Sequence, residues 1–405
     1  MRLAPFRALR PPAPFARDVA AVPYDTVDTQ EAKALAAGND RSFLHVEKSE
    51  IDFPEGSDIY APEVYARAAV NLARLEADGA LIRESEPRFY VYRQQMGGHA
   101  QHGVVGCCHI EDYERDVIRK HEKTRDDKEQ DRTRHVDALG ANAGPVFLAF
   151  RDVPAIDELI RRAEQAPPVF DFTSVDGVQH SAWKVEATAE CVQAFDKVPV
   201  CYIADGHHRA SAAVNVGRAR RKANPGHTGA EEYNRFLGVL FPASQLRILP
   251  INRCVLGFNG LSQEAFLRRV RQSFAVTPHA SAEPPSPGHV SMYLGGAWWG
   301  LSWASEPAGD PVSGLDVSVL QDRLFDPILG IKDPRRDERI EFVGGIRGTE
   351  DLVARVRAGR AAAAFSMFPV TMGEVMAIAD AGRIMPPKST WFEPKLRSGL
   401  FVHTF

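Results

Sequence analysis

Apolar residues recur along this chain at two periods, and the changes from one to the other predict a mixed succession of helices and strands. Residues 65–78 set Ala69, Leu72, Ala73 and Leu75 among charges at helical spacing, and Gly79 is placed to end that helix. Residues 29–37 predict a shorter helix, preceded by a loop through Val22-Pro23-Tyr24-Asp25 that leaves a short strand. Two strand-like runs, 89–95 and 101–110, flank Met96-Gly97-Gly98-His99, a turn of hairpin length. Residues 145–151, the surroundings of Val169 and Trp183, and 236–241 predict further strands. The run 198–204 is apolar and β-branched between polar flanks, the pattern of a central strand covered on both faces. Behind it, residues 209–221 carry Ala210, Ala212, Ala213, Val214 and Val216, a helix small enough on one face to pack closely on a sheet.

Residues 111–139 are so polar that they predict a long charged helix or a helix pair. Beyond a seam at Leu256-Gly257-Phe258-Asn259-Gly260 the pattern predicts a helix over 263–273, a hairpin over 292–303, a strand near 361–368, a helix near 373–381 and a loop-rich tail. The fold class expected is α/β in the broad sense, mixed α+β. Three regions are expected: 1–110 as an N-terminal part of the core, 111–255 as the charged helix and the strand-turn-helix core, and 256–405 as a C-terminal α+β domain.

Composition narrows the function classes. Hydrophobic residues at 44% and charged residues at 25% fit a globular chain of 405 residues. The net charge of −4 offers no global basic field, which weighs against nucleic acid and toward a small ligand. The five cysteines include the adjacent pair Cys107 and Cys108 and show no CxxC spacing, so reduced, buried thiols and a cytoplasmic location are expected. The start of the chain is interrupted by prolines and reads as mature sequence. Residues 284–305 lack acidic and basic side chains, but their prolines and Gly295-Gly296 argue against a membrane helix. A homodimer is left open.

Candidate chemistry concentrates at Asp205-Gly206-His207-His208-Arg209, between the predicted strand and its helix. A helix amino end offers free N–H groups and the positive pole of the dipole, which suit an anion. Gly206 allows a sharp turn and a close approach to the backbone. Arg209 supplies a forked cation, the imidazoles exchange protons near neutrality, and Asp205 can orient a histidine, hold Mg²⁺ or accept a proton. The plain alternative is a capped helix whose histidines satisfy local backbone groups. A zinc centre is a third reading, although adjacent histidines point apart. In the charged segment, His121, Arg125, Lys128, Arg132 and His135 fall on one helical stripe that could face a triphosphate, beside an acidic stripe of Glu122, Asp126 and Glu129. Solvated i,i+4 pairing is the competing account of the same residues. Lys388 could likewise meet an anion, or its segment could be a packed strap. The chain contains no GxxxxGK[ST], GxGxxG, GxSxG or HExxH.

Asp205-Gly206-His207-His208-Arg209 after a strand resembles the signature of the ParB/sulfiredoxin superfamily, whose members bind nucleotide phosphates at that turn and include free serine kinases. Lys120-His121-Glu122-Lys123-Thr124-Arg125, Asp131-Arg132-Thr133-Arg134-His135 and Met385-Pro386-Pro387-Lys388-Ser389-Thr390 resemble the domain-of-unknown-function 1015 family, over most of the chain. The first resemblance implies a ParB/sulfiredoxin-like core with additional mixed-sheet elements. It also implies phosphate contacts at Gly206, His208 and Arg209, ATP or ADP with Mg²⁺, and an acidic base that Asp25 or Glu122 could supply. A phosphotransferase acting on a small hydroxylated metabolite such as free L-serine follows. A nucleotide-binding regulator, or a metal-assisted phosphatase with Asp205, His207 and His208 as ligands, are the alternatives; the metal site itself is unassigned.

Overall fold

The computed structural model describes residues 1–304 and 309–405. The chain divides into two compact units, one formed by Met1–Leu246 with Pro394–Phe405 and the other by Arg247–Glu393. Residue 305, the last of the uncharged stretch 284–305, lies outside the described residues.

The first unit is organised by a nine-stranded mixed sheet. Its order is Ile118–Arg119, Cys201–Asp205, Val146–Phe150, Arg235–Pro242, His99–His109, Phe89–Met96, Gln179–Val185 and Phe170–Thr173, with Leu3–Ala4 pairing off His99–His109. Strand pairs are antiparallel except where Val146–Phe150 meets Arg235–Pro242 and where Ile118–Arg119 meets Cys201–Asp205. The residues expected as separate regions, 1–110 and 111–255, therefore contribute to one sheet. Its core includes Phe89, Val91, Val104, Cys108, Leu148, Phe150, Ile203, Ala210, Val214 and Leu240. All five cysteines are buried free thiols, as their spacing predicts.

Most of the predicted elements are present; the place of one strand and the stripe of cations differ from expectation. Cys201–Asp205 is buried up to Ala204 but stands next to the edge rather than at the centre, shielded by the two-residue strand Ile118–Arg119. Of the two forms expected for the charged segment, the helix pair is present, divided by the edge strand Ile118–Arg119. A short helix, Ile110–Glu114, ends before Asp116, whose φ of 55° turns the chain into that edge strand. A loop then runs to the helix Asp126–Leu139, which opens with Asp126, Asp127 and Glu129 at its positive pole and closes on left-handed Gly140. His121 and Arg125 precede this helix, so the single stripe of cations does not form.

The second unit holds a six-stranded antiparallel sheet, ordered Ala275–Pro278, Ala297–Ser302, His289–Leu294, Ala363–Met367, Ile251–Val255 and Ile340–Gly344. Helix Gly348–Arg357 brings Leu352 into its core with Cys254, Tyr293, Val343 and Ala364. Helices Gln263–Ser273 and Met372–Asp380 lie where the pattern predicts them. Among the described residues no helix is long and apolar enough to cross a membrane.

Candidate functional site

The strand Cys201–Asp205 slips register against its neighbour between Ile203 and Asp205. Such a bulge bends a strand end and re-aims its side chains. Gly206 follows with φ 87°, a left-handed conformation that L side chains adopt at a cost, and the helix His207–Ala223 begins at once. Gly206 stands at the N-cap, so the first turn has no side-chain cap. Asp205 bonds the turn's backbone, its Oδ1 accepting from the Gly206 N–H at 2.8 Å.

The other oxygen of Asp205 accepts from Lys395 Nζ at 2.6 Å. Burial alone would raise the Asp205 pKa, but Lys395, Arg209 and the Gly206 N–H outweigh it and bring it down to about 2. An ionised carboxylate and an ammonium thus stand together at the uncapped helix end. Lys395 arrives from a strap 190 residues away in sequence, and no local pattern around it announces the contact.

His207 and His121 form a second group. Their rings meet edge to face at 4.6 Å, and they are 4% and 1% exposed. Both ring nitrogens of His121 and Nε2 of His207 have no hydrogen-bond partner. Burial keeps both rings neutral, with His121 lowered to about 4 and His207 well below its ordinary value. Buried polar atoms without partners are rare and point to a role beyond packing. Glu122, its side chain 57% exposed, brings Oε2 to 3.6 Å from His207 Nδ1. His208 accepts from the backbone N–H of Arg125 at 3.1 Å, and the charge of exposed Asp25 acts on its ring, which burial nonetheless shifts downward.

Arg209 turns the other way. Its guanidinium donates to the Pro145 carbonyl and to Ser398 Oγ, both at 3.2 Å, and lies 3.8 Å from Glu47. Arg132 meets the same Glu47 at 3.6 Å and Asp131 at 2.9 Å. His135 is buried against the Val46 carbonyl, at 2.8 Å. A cavity of about 20 Å³ is lined by Glu47, Arg132, His135, Gly144 and Arg209 among others. The side chain of Arg125 is exposed and paired with Asp127.

Of the residues singled out by sequence, Asp205, Gly206, His207, His208, His121, Glu122 and Asp25 therefore gather around the turn. Arg209, Arg132 and His135 form a buried group behind it. Lys388 belongs to the second unit, where its side chain is exposed and its carbonyl accepts from Arg253 at 3.0 Å. Lys395, Glu47 and Ser398 were not foreseen. Asp205, His207 and His208 do not converge as a ligand set, and among the described residues no three His, Cys, Asp or Glu side chains are grouped to hold a metal ion.

A mixed sheet that delivers a carboxylate, a left-handed glycine and an uncapped helix to one point defines an α/β protein with a turn suited to an anion. The chain belongs to the family described as protein of unknown function (DUF1015), which matches residues 3–318. A comparison with curated proteins gave no match. Among solved structures the chain is similar to a free serine kinase in complex with AMP, at 13% identity over 74% of this chain and 91% of that one, with a TM-score of 0.38. It is also similar to a conserved hypothetical protein from Pyrococcus furiosus, at 15% identity over 74% and 94% with a TM-score of 0.35. A third is SbnI with a C-terminal truncation from Staphylococcus aureus, at 10% identity over 74% and 87% with a TM-score of 0.39.

Proposed function

We propose that the turn at residues 205–209 binds the phosphates of ATP or ADP and that the chain transfers a phosphoryl group to the hydroxyl of a small metabolite, free L-serine being the first to try. The observation that carries this reading is the pairing of an uncapped helix amino end with the Lys395 ammonium at 2.6 Å from Asp205. Phosphoryl transfer asks chiefly for positioned positive charge and a base near the acceptor. The helix dipole, the free N–H groups and Lys395 supply the first.

Glu122 suits the second role. Its exposed carboxylate borders His207, an imidazole that burial keeps neutral. As the acceptor oxygen bonds to phosphorus and the bond to the nucleotide breaks, the hydroxyl proton passes to Glu122. Asp25 is an exposed carboxylate of the kind Mg²⁺ takes together with substrate phosphates. When bound there, the ion would neutralise charge on the transferring group. The ParB/sulfiredoxin-like character of the turn and a cytoplasmic setting belong to the same proposal.

The test is direct. Purified protein is incubated with Mg²⁺ and ATP or ADP against serine and other hydroxylated metabolites, and phosphorylated product is scored by mass spectrometry. Product is expected from the wild type, with a loss of about a hundredfold or more in Glu122→Gln. Undiminished nucleotide-dependent turnover in both Glu122→Gln and Asp205→Asn would overturn the reading.

A further inference from the structure

Glu47 is 4% exposed, and its carboxylate faces two guanidinium groups, Arg132 at 3.6 Å and Arg209 at 3.8 Å. Both cations also lie over the ring of Tyr24, with Arg132 Cζ at 4.3 Å and Arg209 Cζ at 5.5 Å from its centroid. Without Glu47, two largely buried like charges would share one aromatic ring, an arrangement that a low dielectric makes costly. The neighbouring chain is shaped around this contact. A Cβ added at Gly144 would stand 2.7 Å from Arg209 Cζ and 2.8 Å from Glu47 Oε1, so a larger residue there would displace the pair.

Arg209 in turn joins three segments. It belongs to the first turn of the helix His207–Ala223, bonds the loop before Val146–Phe150 at Pro145, and bonds the returning strap at Ser398. That strap carries Lys395 three residues earlier. Gln94 and Gln101 hold the strap's other end through the carbonyls of Lys395 and Pro394, at 2.8 and 3.3 Å.

We propose that Glu47 is a positioning residue: by anchoring Arg209 it holds the strap, and thereby the Lys395 ammonium, against the turn at Asp205-Gly206. It touches no substrate in this scheme, and the inference rests on the phosphate-binding reading given above. The pKa of Glu47 agrees with the role, since burial would raise it but Arg209, His135 and Arg132 hold it below the ordinary value and the side chain stays charged.

The experiment is calorimetric titration of the full chain with ADP and Mg²⁺, using wild type, Glu47→Gln, Lys395→Ala and the double variant, each well below its own unfolding temperature. A purely structural glutamate would alter unfolding temperature and leave the affinity of the folded protein unchanged. The expected result is a loss of about tenfold or more in each single variant. The double variant should then lie within about twofold of Lys395→Ala, because both changes act through one ammonium. Independent losses that multiply, or wild-type affinity in folded Glu47→Gln, would overturn the inference while leaving the phosphate reading intact. Absence of ADP binding by the wild type would overturn both. Should Glu47→Gln not fold, Glu47→Gln/Arg132→Gln removes one charge of each sign. Its affinity is expected to fall in the same way, and an unchanged value counts against the proposal.

Discussion

Asp205 and His121 sit within one turn's reach of each other's field, yet burial acts on them in opposite senses. For the carboxylate, Lys395 and Arg209 overcome burial, so the pKa falls to about 2 from an ordinary value near 3.8. Its stabilising contribution is therefore complete above roughly pH 4 and is lost as pH falls toward 2. Asp205→Asn should flatten the acid unfolding profile in that window, as read by circular dichroism. For the imidazole, burial dominates, and the folded protein resists protonation down to about pH 4, whereas the unfolded chain takes a proton near 6.5. Stability is therefore full above 6.5 and falls as pH drops toward 4, by up to about 3 kcal/mol from this residue. Urea unfolding at pH 7.5 and 5 should show a smaller difference for His121→Leu than for the wild type; equal differences would contradict the burial account. Neither shift could be read from sequence, because both depend on partners brought in by the fold.

At the scale of elements, the turn itself was legible. An apolar strand, a glycine and an alanine-rich helix in succession carry their own periods, and the structure keeps that order in Cys201–Asp205, Gly206 and His207–Ala223. For the charged segment the pattern left one helix or a pair open, since its polar residues satisfy a helical pattern equally well whether or not the chain breaks. What decided it was pairing of Ile118 and Arg119 with Cys201 and Tyr202, a contact about eighty residues away along the chain. Gly206→Ala offers a test at this scale. A side chain at φ 87° costs about 1–2 kcal/mol, and its nearest neighbour, Val146 Cα at 3.6 Å, leaves room for it. The variant should fold with a modest loss in unfolding free energy and a larger loss in phosphate affinity. A variant with unchanged ADP affinity would show that the backbone at 206 does not approach a ligand.

For the whole molecule, sequence pattern conveyed the mixed α/β class and the identity of most strands, but not how distant segments meet. Lys395, Ser398 and Glu47 reach the site from a returning strap and a short helix that carry no motif of their own. The mild net charge of −4 gives the protein no general attraction for polyanions, so anion binding must come from local charge. Raising salt from about 0.05 to 0.5 M should therefore weaken ADP more than adenosine, as measured by equilibrium dialysis. Phosphate binding at the turn is tested by a calorimetric titration of ADP into wild type and Lys395→Ala at pH 7.5. The account predicts saturable one-to-one binding by the wild type and a loss of about tenfold or more in the variant. Equal affinity in the two proteins, or no binding by either, would contradict it.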